Sequence, residues 1–149
     1  MLAHRQLLDL VEAAFQQAPA IAGGEVQRHR TRPVPAEKDQ AVRLRVVRSL
    51  PSPLAGTSAP IDWETLLAVQ SLARATTGQT PDEAVEPVLV AAHTRLVSTA
   101  AATLRAAGFE VDPGPTLGWD EDEAEERIGS LTAIYTVRHR STYDTLAAA

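Results

Sequence analysis

The segment that most constrains the fold is residues 131–140, with the sequence Leu-Thr-Ala-Ile-Tyr-Thr-Val-Arg-His-Arg. It is rich in β-branched and aromatic residues, which favour strands. It contains neither proline nor glycine, so it can lie in the middle of a sheet. Side chains alternate between the two faces of a strand. One face is apolar and is formed by Leu131, Ala133, Tyr135 and Val137. The pattern predicts a long strand with one buried face.

A dense acidic segment lies directly before this strand. Its carboxylates are Asp120, Glu121, Asp122, Glu123, Glu125 and Glu126. Such a run cannot bury itself and must face water or cations. A calcium loop would need glycine where Glu125 stands and a closing glutamate where Leu131 stands. We therefore expect a solvated acidic loop, with a role at a subunit contact or a ring lumen as the functional alternative.

Composition places limits on the function. The 149 residues favour a single domain, 1–149, and the hydrophobic fraction of 44% is ordinary for a globular protein. The net charge of −5 argues against nucleic acid as the main partner. The absence of cysteine excludes disulfides and thiolate metal sites, and it fits a cytoplasmic origin. No apolar run approaches the ~20 residues of a membrane span, so no membrane partner is expected.

The first half of the chain predicts one helix and several strands. Residues 7–15 carry apolar side chains at helical spacing. Residues 25–32, 42–49 and 62–73 are predicted as strands, the first of them from a weak polar alternation. The proline-rich residues 51–60 are predicted to form a loop.

The second half begins with a strong helix signal. Thr80, Pro81 and Glu83 form an N-cap, a first-turn proline and a capping-box glutamate. The apolar stripe then continues to Gly108, which should end the helix, and Pro87 should kink its first turns. Residues 109–111 predict a short strand. The order of elements predicts an α+β fold, with one mixed, mainly antiparallel sheet on which the long helix and the short N-terminal helix pack.

No catalytic motif stands out. The four histidines are scattered along the sequence, and neither a nucleotide-binding glycine loop nor a nucleophile elbow is present. We expect no enzymatic activity and no cofactor. The arginine groups could form a nucleic-acid stripe, but they lack the interleaved aromatic residues that stack on bases. Salt bridges or subunit contacts are the better interpretation for these candidates, which are Arg28, Arg30, Arg32, Arg43 and Arg45.

Several short patches of the sequence, in their order along the chain, resemble the tail terminator proteins of siphophages. They are the helix at 7–15, the Asp62-Trp63 pair that opens a strand, the helix at 85–104, the segment 107–110 and the acidic loop at 120–126. The last is the Leu-Thr-x-x-Tyr-x-Val pattern that begins at Leu131. The resemblance covers most of the chain in element order and only these short patches in residues. Residues 28–32 and 51–60 do not align with the family.

The resemblance implies a structural role. Such proteins form a ring, typically a hexamer, that caps the tail tube, ends its polymerisation and presents a surface to the head-completion protein. The implied partners are further copies of the chain, the major tail tube protein and the head-completion protein, with DNA passing through the ring unbound. The implied location is the virion tail, and the host cytoplasm during assembly. A head–tail connector or head-closure protein is one alternative, and a cytoplasmic binding or regulatory domain is another.

Overall fold

A computed structural model describes residues 2–28, 34, 37–52, 59–120 and 127–148 of the chain. It contains the α-helices α1 (Ala3–Gln16), α2 (Pro81–Thr94) and α3 (Ala101–Ala106). Its strands are β1 (Val26–Gln27), β2 (Gln40–Ser52), β3 (Ile61–Arg74), β4 (Glu110–Val111), β5 (Thr116–Asp120) and β6 (Ile128–Ser141). A 3₁₀ turn at Ile21–Gly24 and a π-helical segment at Arg95–Thr99 complete the elements.

The six strands form one mixed, mainly antiparallel sheet. Its order is β1-β2-β3-β6-β4, and β5 pairs with β6 beside β4. Among the strands of the described residues, only β1 and β2 pair in parallel. The two longest strands, β3 and β6, pair along their full length from Ile61 opposite Ser141 to Arg74 opposite Ile128. The predicted α+β fold is therefore confirmed.

The helices cover one face of this sheet. The predicted apolar face of β6 is buried, and it lies in one core with Leu7 and Phe15 of α1 and with Val85 of α2. Burial of apolar surface is the main force that holds these layers together. The face of β6 that carries Thr132 and Ile134 is only partly buried, and no helix of the described residues packs on it. We call it the open face.

The long helix begins and ends as predicted. Thr80 accepts a hydrogen bond from the Glu83 backbone N–H, and the capping box is complete. At the other end Gly108 has φ of 91°, and the backbone N–H groups of Gly108 and Phe109 donate to Arg105 and Leu104. This pattern is a Schellman motif, in which glycine adopts the left-handed conformation after the last turn.

The interior of that helix has one feature that the sequence did not indicate. α2 runs through Pro87 without a break, and the departure from α-helical bonding occurs later, at Arg95–Thr99. Arg95, at the start of this π-helical segment, is 9% exposed and donates to the carbonyl oxygens of Ala14, Gln17 and Pro19 at 2.6–2.9 Å. The last carbonyls of a helix have no intrahelical partner. The guanidinium therefore satisfies the C-terminal end of α1 and ties it to α2.

Other strand boundaries also need correction. The strand predicted at 25–32 is β1, which ends at Gln27; residues 29–33 lie outside the described residues. β2 includes Pro51 and Ser52, which were predicted to lie in a loop, and residues 53–58 of that predicted loop are not described. β6 begins at Ile128 rather than Leu131 and includes Gly129. No helix in the described part of the chain combines the length and hydropathy that crossing a membrane requires.

Candidate assembly surfaces

The open face brings together four of the residues singled out in the sequence. A depression of about 280 Å³ lies on this face, and its lining includes Arg28, Arg43, Arg45 and Asp120. Arg43 and Arg45 are on β2, which is separated from β5 by β3 and β6. Acidic and basic candidates that are distant in sequence thus line one depression within a single subunit.

Three of the charged groups of the depression have partners within the chain, namely Arg28, Asp120 and Arg43. Arg28 lies 2.6 Å from Asp9 and 2.7 Å from Glu12, both on α1. Asp120 accepts hydrogen bonds from Ser130 at 3.0 Å and from Thr132 at 2.6 Å. The Asp120 carboxylate is therefore hydrogen-bonded to β6, although the residue is exposed.

Arg43 also has a partner, because its Nε donates to the side chain of Gln27 at 3.2 Å. The other candidates, Glu121, Asp122, Glu123, Glu125, Glu126, Arg30 and Arg32, lie outside the described residues.

Ion pairs continue along the open face beyond the depression. Arg140 donates to both oxygens of Asp62 at 2.6 and 3.2 Å, and these two residues are register partners. The hydrogen bond from Arg140 holds the pKa of Asp62 below its usual value. Arg138 lies 3.7 Å from Glu64 and 3.2 Å from Asp112. These exposed pairs fix cross-strand register more than they add stability.

A second feature is a buried polar cluster at the end of the sheet, on the helix face. His139 is 6% exposed, and its Nε2 lies 2.7 Å from the Thr65 hydroxyl, while its Nδ1 has no hydrogen-bond partner. The ring of His4 meets it edge-on with centroids 5.6 Å apart, and Trp63 stacks on it. Burial first, and then the nearby His4, lower the pKa of His139 to about 4. The histidines that looked scattered in sequence thus include one contacting pair.

This cluster lacks the composition of a metal site. No group of three histidine, aspartate or glutamate side chains that could hold a metal ion occurs among the described residues. A neutral imidazole that is hydrogen-bonded to a threonine hydroxyl is consistent with a structural role, in which the cluster holds the start of α1 on the sheet. We therefore place the functional surfaces elsewhere.

The third feature is an apolar edge formed by α2, the β4–β5 connection and β5. A depression of about 310 Å³ there is lined by Leu89, Val90, His93, Pro113, Pro115, Leu117 and Tyr135. Tyr135 is 1% exposed, and its hydroxyl lies 2.8 Å from Nδ1 of His93. Because the hydroxyl is satisfied, the buried end of the depression presents an aromatic ring rather than a free polar group.

Strand β5 itself was missed in the sequence. Trp119 and Asp120 looked like the start of the acidic segment, but they end a five-residue strand that pairs with β6. Every residue of β5 is exposed, including Leu117 at 42% and Trp119 at 57%. One signal in the sequence could have indicated this strand. Leu117 and Trp119 alternate with Gly118, in a segment that has prolines before it and acidic residues after it.

The chain matches no protein-family model, and no curated protein matches it.

Proposed function

We propose that this protein is a structural subunit of a phage or prophage tail, one that forms a ring on the end of the tail tube. In this role the ring ends tube polymerisation and presents the surface to which the head-completion protein binds. The proposal derives from the resemblance to siphophage tail terminators.

The observation that supports it best is the order of elements. The resemblance rests on an N-terminal helix, a strand that begins near Asp62, a long helix and a final strand after an acidic segment. This fold contains those helices and strands in that order. Among the described residues the helices pack on one face of the sheet, which leaves much of the open face and the outer sides of β2 and β5 for contacts with other subunits.

A ring also needs two different surfaces on each subunit that fit each other with rotational closure. The opposite edges of this sheet differ in character. One edge is β5 with its exposed apolar side chains, and the other is β2 with Arg45 and Arg48. A sheet with unlike edges suits contacts that repeat head to tail.

Deletion of the gene in its phage or prophage tests this function. A tail terminator should leave tails of abnormal length that fail to join heads, and the wild-type gene supplied in trans should restore both. Tails of normal length that fail to join heads would instead indicate a connector or head-closure protein. Normal virions would contradict the proposal.

A further inference from the structure

The exposed large apolar side chains of the described residues are not spread evenly over the surface. Val90, Leu117 and Trp119 lie at the β5 edge, with exposures of 63%, 42% and 57%. Val47 and Leu50 lie on β2, at the opposite side of the sheet, with exposures of 40% and 50%. The rest are in the terminal segments, at Leu2, Tyr143 and Leu146. Grouped exposed apolar residues mark sites of protein contact.

The β5 edge has room for a partner's side chain. Its depression of about 310 Å³ is lined mainly by aliphatic and proline side chains, with Tyr135 as the buried aromatic group. Apolar side chains that fill such pockets carry much of the binding energy in protein interfaces.

The outer side of β2 is open where its apolar side chains lie. β1 pairs only with Val42 and Arg43, so no described strand lies beside β2 from Leu44 to Ser52. The register with β3 shifts between Val46 and Arg48, which makes Val47 the extra residue of a β-bulge.

The two edges also carry opposite charge. Arg45 and Arg48 are on β2, and neither has an ion-pair partner among the described residues. The β4–β5 edge has Glu110 and Asp120, and the sequence continues from Asp120 with further carboxylates. Opposite potentials on facing surfaces steer association and fix its register.

Strand direction allows the two edges to meet. The pairs β2–β3, β3–β6 and β6–β5 are all antiparallel, so β5 runs opposite to β2. A second copy placed beside β5 in a similar orientation therefore presents its β2 antiparallel to β5. Antiparallel neighbours are the commoner arrangement in sheets.

We propose that the β5 edge of one copy docks against the outer β2 edge of the next copy. Val47 of β2 meets Leu117, Trp119 and the neighbouring depression, and Arg45 and Arg48 face the acidic end of β5. The contact joins two different surfaces, so it repeats from copy to copy until it closes. This inference rests on the proposed ring and assigns the surfaces that build it.

The test uses two variants that each remove one surface, Trp119→Asp and Val47→Asp. Both sites are exposed, so circular dichroism should show native folding. Sedimentation velocity should show a closed oligomer for the wild type and monomers for each variant alone. Tyr143→Asp is the matched control, because Tyr143 is also 57% exposed but lies in the C-terminal segment, and it should assemble like the wild type.

Mixing the two variants is the decisive step. Each retains the surface that the other lacks, so an equimolar mixture at high concentration should give a one-to-one dimer and nothing larger. A mixture that stays monomeric would overturn the head-to-tail contact. Oligomers that persist in either variant would refute the assigned edges and leave the ring proposal standing. A wild type that stays monomeric at every concentration would refute both.

Discussion

A substitution at Gly129 tests the packing of α2 on the sheet. Gly129 lies in β6, directly beneath the first turn of α2. A Cβ built on it would lie 2.0 Å from the Pro81 carbonyl oxygen and 2.6 Å from the Pro81 carbonyl carbon. Both atoms are backbone, so a side-chain rotation cannot relieve the contact. An ordinary carbon–oxygen separation is about 3.4 Å, and the helix would have to move by roughly 1.4 Å.

We therefore expect Gly129→Ala to destabilise the protein by about 1–3 kcal/mol, the usual cost of forcing extra volume into a packed site. Gly118→Ala is the matched control, since Gly118 is also in a strand and its added Cβ would meet nothing within 4 Å. That control should change stability by less than about 0.5 kcal/mol. Urea unfolding followed by circular dichroism measures both changes. Equal stability of the two variants would refute the close approach of Pro81 to the sheet.

Three further substitutions test other parts of the fold. Leu96→Ala empties a fully buried site and should cost about 2–5 kcal/mol in urea unfolding, whereas an unchanged midpoint would remove Leu96 from the core. Arg95→Met breaks the hydrogen bonds to the end of α1 and should cost about 1–3 kcal/mol, while Arg105→Met, at an exposed site, should cost little. Burial lowers the pKa of His139 from 6.5 to about 4, so the folded protein disfavours the protonated imidazole. The stability that depends on neutral His139 is therefore complete above pH 6.5 and is lost as the pH falls towards 4. The loss should reach about 3 kcal/mol, and in His139→Gln this part of the pH dependence should vanish; if wild type and variant lose equal stability between pH 6.5 and 4, His139 is not the responsible group.

The sequence predicted the elements whose signals are local. The alternation in residues 131–140, the capping box at Thr80 and the stop at Gly108 each depend on neighbouring residues, and all three are confirmed. The α+β class followed from the order of these elements. The strand near residue 26 was overextended because a polar alternation carries little information on burial.

What the sequence could not predict depends on tertiary contacts. The role of Arg95 requires the end of α1 to be near the π-helical segment, which no local pattern indicates. Strand β5 is short and fully exposed, so neither burial nor length marked it. His4 and His139 lie far apart in sequence and meet only because α1 packs across the end of the sheet.

The candidate assembly residues also divide into those that the sequence indicated and those that only the structure shows. The sequence located the charged groups, and the structure places Arg28, Arg43, Arg45 and Asp120 around one depression. The apolar residues of the proposed contact, such as Trp119 and Val47, were not singled out, because an isolated apolar residue on a surface is common. Their grouping at opposite edges becomes visible only when the strand order is known.

Electron microscopy of the purified protein decides whether copies of this chain assemble into the proposed closed ring. Class averages should show a six-fold ring with a central opening, and Tyr143→Asp should give the same particles while Trp119→Asp gives none. Open filaments, two-fold dimers or single subunits under all conditions would contradict the claim.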